Sequence, residues 1–220
     1  MVERGRPRSF DRQEALLRAM KVFWALGYEG ATLPGLQEAM GGISPPSFYA
    51  AFGSKEELFR EAVELYSRTL GAPMMEALNR QTSARRSVED LLNSAVESFC
   101  KPGAPRGCML VLSAMNSSPA NRSVQEYLRG LRARRQRAIQ QRLQRAVNEG
   151  ELPAALHPGG IASFITTVID GLAIQARDGA SRKMLRFAVA CAMAAWDEVI
   201  AKAETGASRF VQQPLLEGRL

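Results

Sequence analysis

Few of the side chains able to act as nucleophile, proton shuttle or metal ligand stand in an arrangement that would let them work together. His157 is the single histidine of the 220 residues, so any catalytic triad would have to run through it and His-paired metal motifs are excluded. No P-loop, GxGxxG, HExxH or GxSxG string occurs, and an enzyme is not expected. Neither a cofactor nor a metal site is expected; copper(I) between cysteines is the one metal chemistry left open. Cys100, Cys108 and Cys191 form no CxxC and cannot all pair, which fits a reduced, cytoplasmic chain. Cys108 follows Arg106 by two residues near an expected helix start, and both features favour the thiolate. Cys100 lies across the same loop, so a redox-formed disulfide is conceivable; the competing reading of Cys108 is a small buried hydrophobe.

Arginine is the other chemistry on offer. Residues 122–145 carry eight arginines against one acid, Glu126, and so account for the whole net charge of +7. On a helical wheel Leu128, Leu131, Ile139, Leu143, Ala146 and Val147 gather on one side. Arg134, Arg137, Arg142 and Arg145 lie on the other, which reads as a solvated basic face. Arg132 falls on the apolar side, where it would snorkel to the surface or pair with an acid or an anionic effector.

The elements that must position these residues are helices throughout. Hydrophobic content of 46% and charged content of 23% are ordinary for a folded globular chain. Apolar residues recur with a helical period between short Gly, Pro, Ser or Asn breaks. Helices are expected at 11–26, 33–40, 45–52, 54–79, 87–100, 107–117, 121–148, 159–177 and 181–203, about nine in all. The stretch Leu152 to Ile169 is uncharged except for its flanks, but Pro153, Pro158, Gly159 and Gly160 interrupt it, and no membrane partner is expected.

One segment stands apart. Thr32 to Met40, the turn Gly41-Gly42-Ile43, and Ser44 to Phe52 read as two short helices joined by glycine, a helix-turn-helix signature. Prolines at 34, 45 and 46 fall in first turns, where a missing N–H leaves nothing unpaired. Leu36, Met40, Ile43, Phe48 and Phe52 face inward, and Tyr49 is left outward with Ser47 and Ala51. Flanking helices open on Asp11 and Ser54, each with an acid three residues on, and Gly27 supplies a left-handed stop to the first.

Phe23, Gly27-Tyr28, Thr32, Leu36, Ala39, Gly41, Ile43 and the run Phe48 to Phe59 resemble the N-terminal DNA-binding domain of TetR/AcrR-type bacterial transcriptional regulators. The doubled Gly41-Gly42 is one residue longer than that family's usual turn. The resemblance implies an all-α fold: a three-helix helix-turn-helix domain followed by a larger helical domain for effector binding and dimerisation. It implies phosphate contacts from Tyr49 and Lys55, and from Thr32 with Pro34 at the start of the second helix. Pro45, Pro46, Ser47 and Ala51 match positions used against base edges; being small and mostly apolar, they suit thymine methyls and Ser47 hydrogen bonds, and Ser44, the expected cap of this helix, is counted among the DNA-binding residues with them.

Ahead of the domain, Arg4-Gly5-Arg6-Pro7-Arg8 has the core of a minor-groove hook, with Arg6 and Arg8 as the inserting residues. Deleting residues 1–8 is expected to weaken operator affinity and flatten its salt dependence, measured by titration at several ionic strengths; an unchanged slope refutes the arm. The expected organisation is a basic arm at 1–8, the DNA-binding domain at 9–60, the effector and dimer domain at 61–204 and a flexible tail at 205–220. An effector pocket is expected from Phe99, Cys108, Met109, Leu112, Met115, Tyr127 and Phe164. By the resemblance the last two long helices form a four-helix dimer interface, through Phe164, Val168, Leu172, Phe187, Ala188, Cys191, Ala195 and Trp196. The function expected is a sequence-specific transcriptional regulator, a repressor released from a pseudo-palindromic operator by a small-molecule or redox effector. The partners are duplex DNA, a second copy of the chain and an unidentified small-molecule effector. The alternative is a helical ligand-binding protein or enzyme with no DNA role.

Overall fold

A computed structural model of the chain describes residues 10–80, 83–114 and 118–205. The described residues form ten α-helical segments: α1 Arg12–Gly30, α2 Leu33–Ala39, α3 Pro45–Phe52, α4 Lys55–Tyr66, α5 Ala72–Arg80, α6 Ala84–Phe99, α7 Met109–Leu112, α8 Arg122–Asn148, α9 Pro158–Arg177 and α10 Arg182–Glu204. A π-helical turn, Ser67–Gly71, follows α4 and precedes α5. Pro73 sits just beyond: a proline ring collides with the carbonyl four residues back, here Thr69, and the wider turn gives it room. The uninterrupted helix expected at 54–79 is corrected accordingly.

The chain divides into two compact units, one containing residues up to Leu70 with Met109–Leu128, the other Gly71–Cys108 with Arg129 onward. In the first, α1 packs on α4 through Phe23, which meets Phe59 edge-on at 5.0 Å, and Trp24, which meets Tyr66 edge-on at 5.0 Å. Such aromatic pairs add to the burial of large apolar surfaces. The helix expected at 107–117 shortens to one turn, α7, after which Ser113 turns back to α1. Its carbonyl accepts from the Tyr28 N–H at 2.7 Å and its hydroxyl donates to the Phe23 carbonyl at 3.4 Å.

Gly27 makes that docking possible. Its φ of 75° and ψ of 176° fall in a region open almost only to glycine, and an added Cβ would stand 3.2 Å from the Ser113 carbonyl oxygen. Gly27→Ala is expected to destabilise the first unit by about 2–3 kcal/mol, read from urea unfolding; an unchanged midpoint would show that the turn relaxes freely.

In the second unit α6 is central. Its Val88, Leu91, Leu92, Ala95, Val96 and Phe99 are buried, and α5, α9 and α10 pack around it. It starts earlier than expected because Ser83 caps it and Glu151 accepts from the Ala84 N–H. Arg85 binds Asp197 at 2.7 and 2.8 Å, and Glu97 pairs with Arg182 and Arg186, tying α6 to α10. α9 has the length and hydropathy to cross a membrane, but Ile165, Ile169, Leu172, Ala173 and Ala176 are buried in this unit, as in a core helix. His157 caps α9 through Nδ1, which accepts from the Gly160 N–H at 2.8 Å. That accounts structurally for the one histidine.

The wheel of α8 needs one correction. Arg134, Arg137 and Arg145 are exposed, but Arg142 is only 3% exposed and Arg135 only 6%. They lie seven residues apart, two turns along one face. Arg142 approaches Glu151 at 3.8 Å and Arg135 reaches Asp170 at 2.5 Å. A wheel assigns arginine to water; here acids on the following loop and on α9 allow it inward.

Candidate nucleic-acid interface

Each helix around the short segment 32–52 begins with a side-chain cap that holds it in register. The Thr32 hydroxyl accepts from the Gly35 N–H at 3.2 Å, Ser44 from Ser47 at 3.4 Å and Ser54 from Glu57 at 3.1 Å. Such caps satisfy the free N–H groups of helices too short to be stable alone. Between α2 and α3, Gly41 and Gly42 both take positive φ, 102° and 72°. The N–H groups of Gly42 and Ile43 return to the Gln37 carbonyl at 3.0 and 3.2 Å. The additional glycine thus serves the capping turn that ends α2.

The two faces of α3 are sharply different. Phe48 and Phe52 are 0% and 3% exposed, while Tyr49 is 52% exposed. Ser44, Pro45 and Pro46 are exposed at its first turn, and Ser47 and Ala51 are half-buried. The Ser44 hydroxyl donates to the Ser47 Oγ at 2.9 Å. Tyr49 stands edge-on to Phe48 at 5.4 Å, which steadies the exposed phenol ring.

Lys55 opens α4. Its Nζ lies 4.4 Å from the centre of the Tyr28 ring, an electrostatic attraction that restrains an otherwise floppy chain. Burial pushes the ammonium below its ordinary lysine value, and the Glu29 carboxylate opposes that shift. Thr32 and Pro34 are exposed at the start of α2. Arg6 and Arg8 lie outside the described residues.

Arg12 was not singled out by the sequence. Its Nε and Nη2 donate to the Ala51 carbonyl at 3.2 and 3.1 Å, Nη2 also reaches Glu61 at 2.7 Å, and the guanidinium lies 4.5 Å from the Phe52 ring centre. It ties the last turn of α3 to α1 and α4. Nothing in its spacing signals this, because the partner is a backbone carbonyl 39 residues away.

A second clamp lies in the same unit. Glu56 accepts from Arg60 at 3.1 and 2.7 Å and from the Ser123 hydroxyl at 2.9 Å. The Arg60 bonds hold its carboxyl below the ordinary range. A depressed carboxylate contributes stability above its unfolded value, about 4.3, and loses that contribution as pH falls through the folded value. Glu56→Gln is therefore expected to unfold earlier than the wild type at neutral pH, with the gap closing below about pH 4. A gap that persists in acid would contradict this.

The other expected residues are divided between the two units. Phe99 and Cys108, both 1% exposed, belong to the second unit with Phe164; Met109, Leu112 and Tyr127 belong to the first. Met115 lies outside the described residues. The Tyr127 ring is covered by the Arg60 guanidinium at 4.5 Å. Phe164 is 39% exposed and joins Val168, Leu172, Ala188, Cys191 and Ala195 along a shallow apolar groove between α9 and α10. Phe187 is exposed at 65%, whereas Trp196 is buried within the unit at 3%. Among the described residues, no three His, Cys, Asp or Glu side chains come together as metal ligands.

Comparison with known proteins agrees with this geometry. The N-terminal domain model of the tetR family of bacterial regulatory proteins matches residues 15–62, and a tetracyclin repressor-like C-terminal domain matches residues 84–192. The transcriptional repressor ComR of Escherichia coli K12 is 32% identical over 198 residues, spanning 90% of this chain and 94% of ComR. The repressor BdcR of the same organism is 28% identical over 194 residues, 87% of this chain and 89% of BdcR. A cysteine mutant of the TetR family regulator CifR, complexed with 26-base-pair operator DNA, is 44% identical with a TM-score of 0.83, covering 87% of this chain and all of that one. The chain belongs to the TetR family of bacterial regulatory proteins and is a DNA-binding transcriptional regulator.

Proposed function

We propose that this regulator is a cytoplasmic, homodimeric repressor that lays α3 of each copy into a major groove of a pseudo-palindromic operator. The observation that carries the reading is the division of α3, with Phe48 and Phe52 buried and Tyr49 exposed, while Lys55 at the start of α4 is restrained over the Tyr28 ring. Tyr49, Lys55 and the capped start of α2 at Thr32 and Pro34 grip phosphates. Ser44, Pro45, Pro46, Ser47 and Ala51 face base edges, favouring thymine methyls over bidentate hydrogen bonds. The basic arm with Arg6 and Arg8 adds a minor-groove or phosphate contact.

The apolar groove of α9 and α10, with Phe187 beside it, supports the second copy as its occupant, since two heads about one DNA turn apart require a twofold pair. Release follows when a small-molecule or redox effector favours a head spacing that no longer fits, to the extent that it binds the two states differently. The burial of Cys108 favours the small-molecule route over direct surface oxidation. A gel-shift with the DNA upstream of the coding region, repeated with a metabolite library, tests both parts. Discrete retardation reversed by one compound is the expected result, and equal retardation of unrelated DNA would contradict it.

A further inference from the structure

A helix of two turns is marginal by itself, and the two ends of α3 are held in different ways. Its first turn is fixed locally by the Ser44 cap. At its last turn the Tyr49 and Phe52 carbonyls accept from the Gly53 and Ser54 N–H groups at 2.9 and 2.8 Å. The Ala51 carbonyl between them accepts from a guanidinium on another helix. Arg12 reaches it with Nε at 3.2 Å and Nη2 at 3.1 Å, and the same Nη2 is anchored to Glu61 of α4 at 2.7 Å. The guanidinium lies 4.5 Å from the Phe52 ring centre, and Phe10, two residues before Arg12, meets that ring at 6.5 Å.

An arginine at a helix C-terminus bonds carbonyls that the helix itself leaves open and complements the negative end of its dipole. The planar fork adds direction, because its donors and its face are engaged at once. Ala51, whose carbonyl it holds, is one of the residues set against base edges, and Glu61 lies on the helix that opens with Lys55. We propose that Arg12 is a positioning residue for sequence discrimination. It fixes the reading face of α3 relative to the phosphate grip at Lys55 and makes no DNA contact of its own, its donors being spent on Ala51 and Glu61. Base-edge contacts then depend on Arg12, and phosphate contacts do not. The proposal rests on α3 as the reading helix.

The test uses the full chain and two duplexes: the sequence that the wild type enriches from a random pool, and a shuffled duplex of equal length and composition. Arg12→Gln is expected to weaken binding to the enriched duplex about 100-fold, roughly tenfold for each half-site, the size of one imperfect base contact per head. Binding to the shuffled duplex changes by less than about twofold, and the salt dependence stays as in the wild type. Arg12→Lys, which keeps the charge without the fork, recovers part of the discrimination. Loss of folded protein lowers both affinities by the same factor, so their ratio separates positioning from stability. An unchanged ratio overturns the proposal. So does a salt slope flattened by about two units, which marks Arg12 as a phosphate contact. The Tyr49→Phe, Lys55→Gln protein separates this failure from that of the reading beneath it. If it enriches nothing while Arg12→Gln keeps the wild-type ratio, α3 stands and Arg12 only stabilises. If it enriches the wild-type repeat, or the wild-type pool stays random, α3 is not the reading helix and the role of Arg12 falls with it.

Discussion

Tyr49→Phe combined with Lys55→Gln is expected to weaken operator binding by about 10⁴-fold or more at physiological salt, with the fold retained. Each change removes one contact to a phosphate per head. A hydrogen bond to a charged group contributes about 1.5–3 kcal/mol, and the loss is repeated in the second head. The salt dependence should flatten by about two units in the logarithmic slope, one for each lost lysine. Neither side chain is needed by the core: Tyr49 is more than half exposed, and Phe48 and Phe52 behind it are untouched. Lys55→Gln also removes the cation above Tyr28, a loss of about 0.5–1 kcal/mol, small enough to leave the head folded. Unchanged affinity and slope would show that DNA lies elsewhere.

A comparable loss is expected from a change in the second unit. Ala195→Arg places a charge in the α9–α10 groove, where a single copy can turn it to water but a packed pair cannot. Sedimentation should shift from dimer to monomer at micromolar protein. Operator affinity should fall about 10²–10⁴-fold, because the second head no longer binds as part of the same particle. Gln144→Arg, on the exposed face of α8, is the control and should change neither property. A dimeric Ala195→Arg protein with normal affinity would move the interface away from this groove.

Much of the head was legible because its signals are local. Asp11, Thr32, Ser44 and Ser54 cap helices within three residues of themselves, and the alternation of Phe48, Tyr49 and Phe52 fixes which face of α3 is free. Features that depend on distant partners were not legible. Arg12 takes its role from the Ala51 carbonyl, Arg135 from Asp170 and Arg142 from Glu151; each looks in sequence like a surface charge. The π turn at Ser67–Gly71 follows from Pro73, but a proline in a periodic apolar run predicts only some break, not its form. α7 stops after one turn because Ser113 bonds back to α1, a tertiary choice that periodicity does not encode. Pocket residues were the least legible, since Met and aromatic side chains at helical spacing look alike whether they fill a core or line a cavity.

Selection of bound duplexes from a random-sequence DNA pool, carried out with the full chain and in parallel with the Tyr49→Phe, Lys55→Gln protein, bears most directly on how α3 works. The wild type should enrich an inverted repeat whose half-sites are spaced by about one helical turn or a multiple of it, and the double variant should enrich nothing. A wild-type pool that stays random, or the same repeat recovered with both proteins, would contradict recognition by α3 with Tyr49 and Lys55 as its grip.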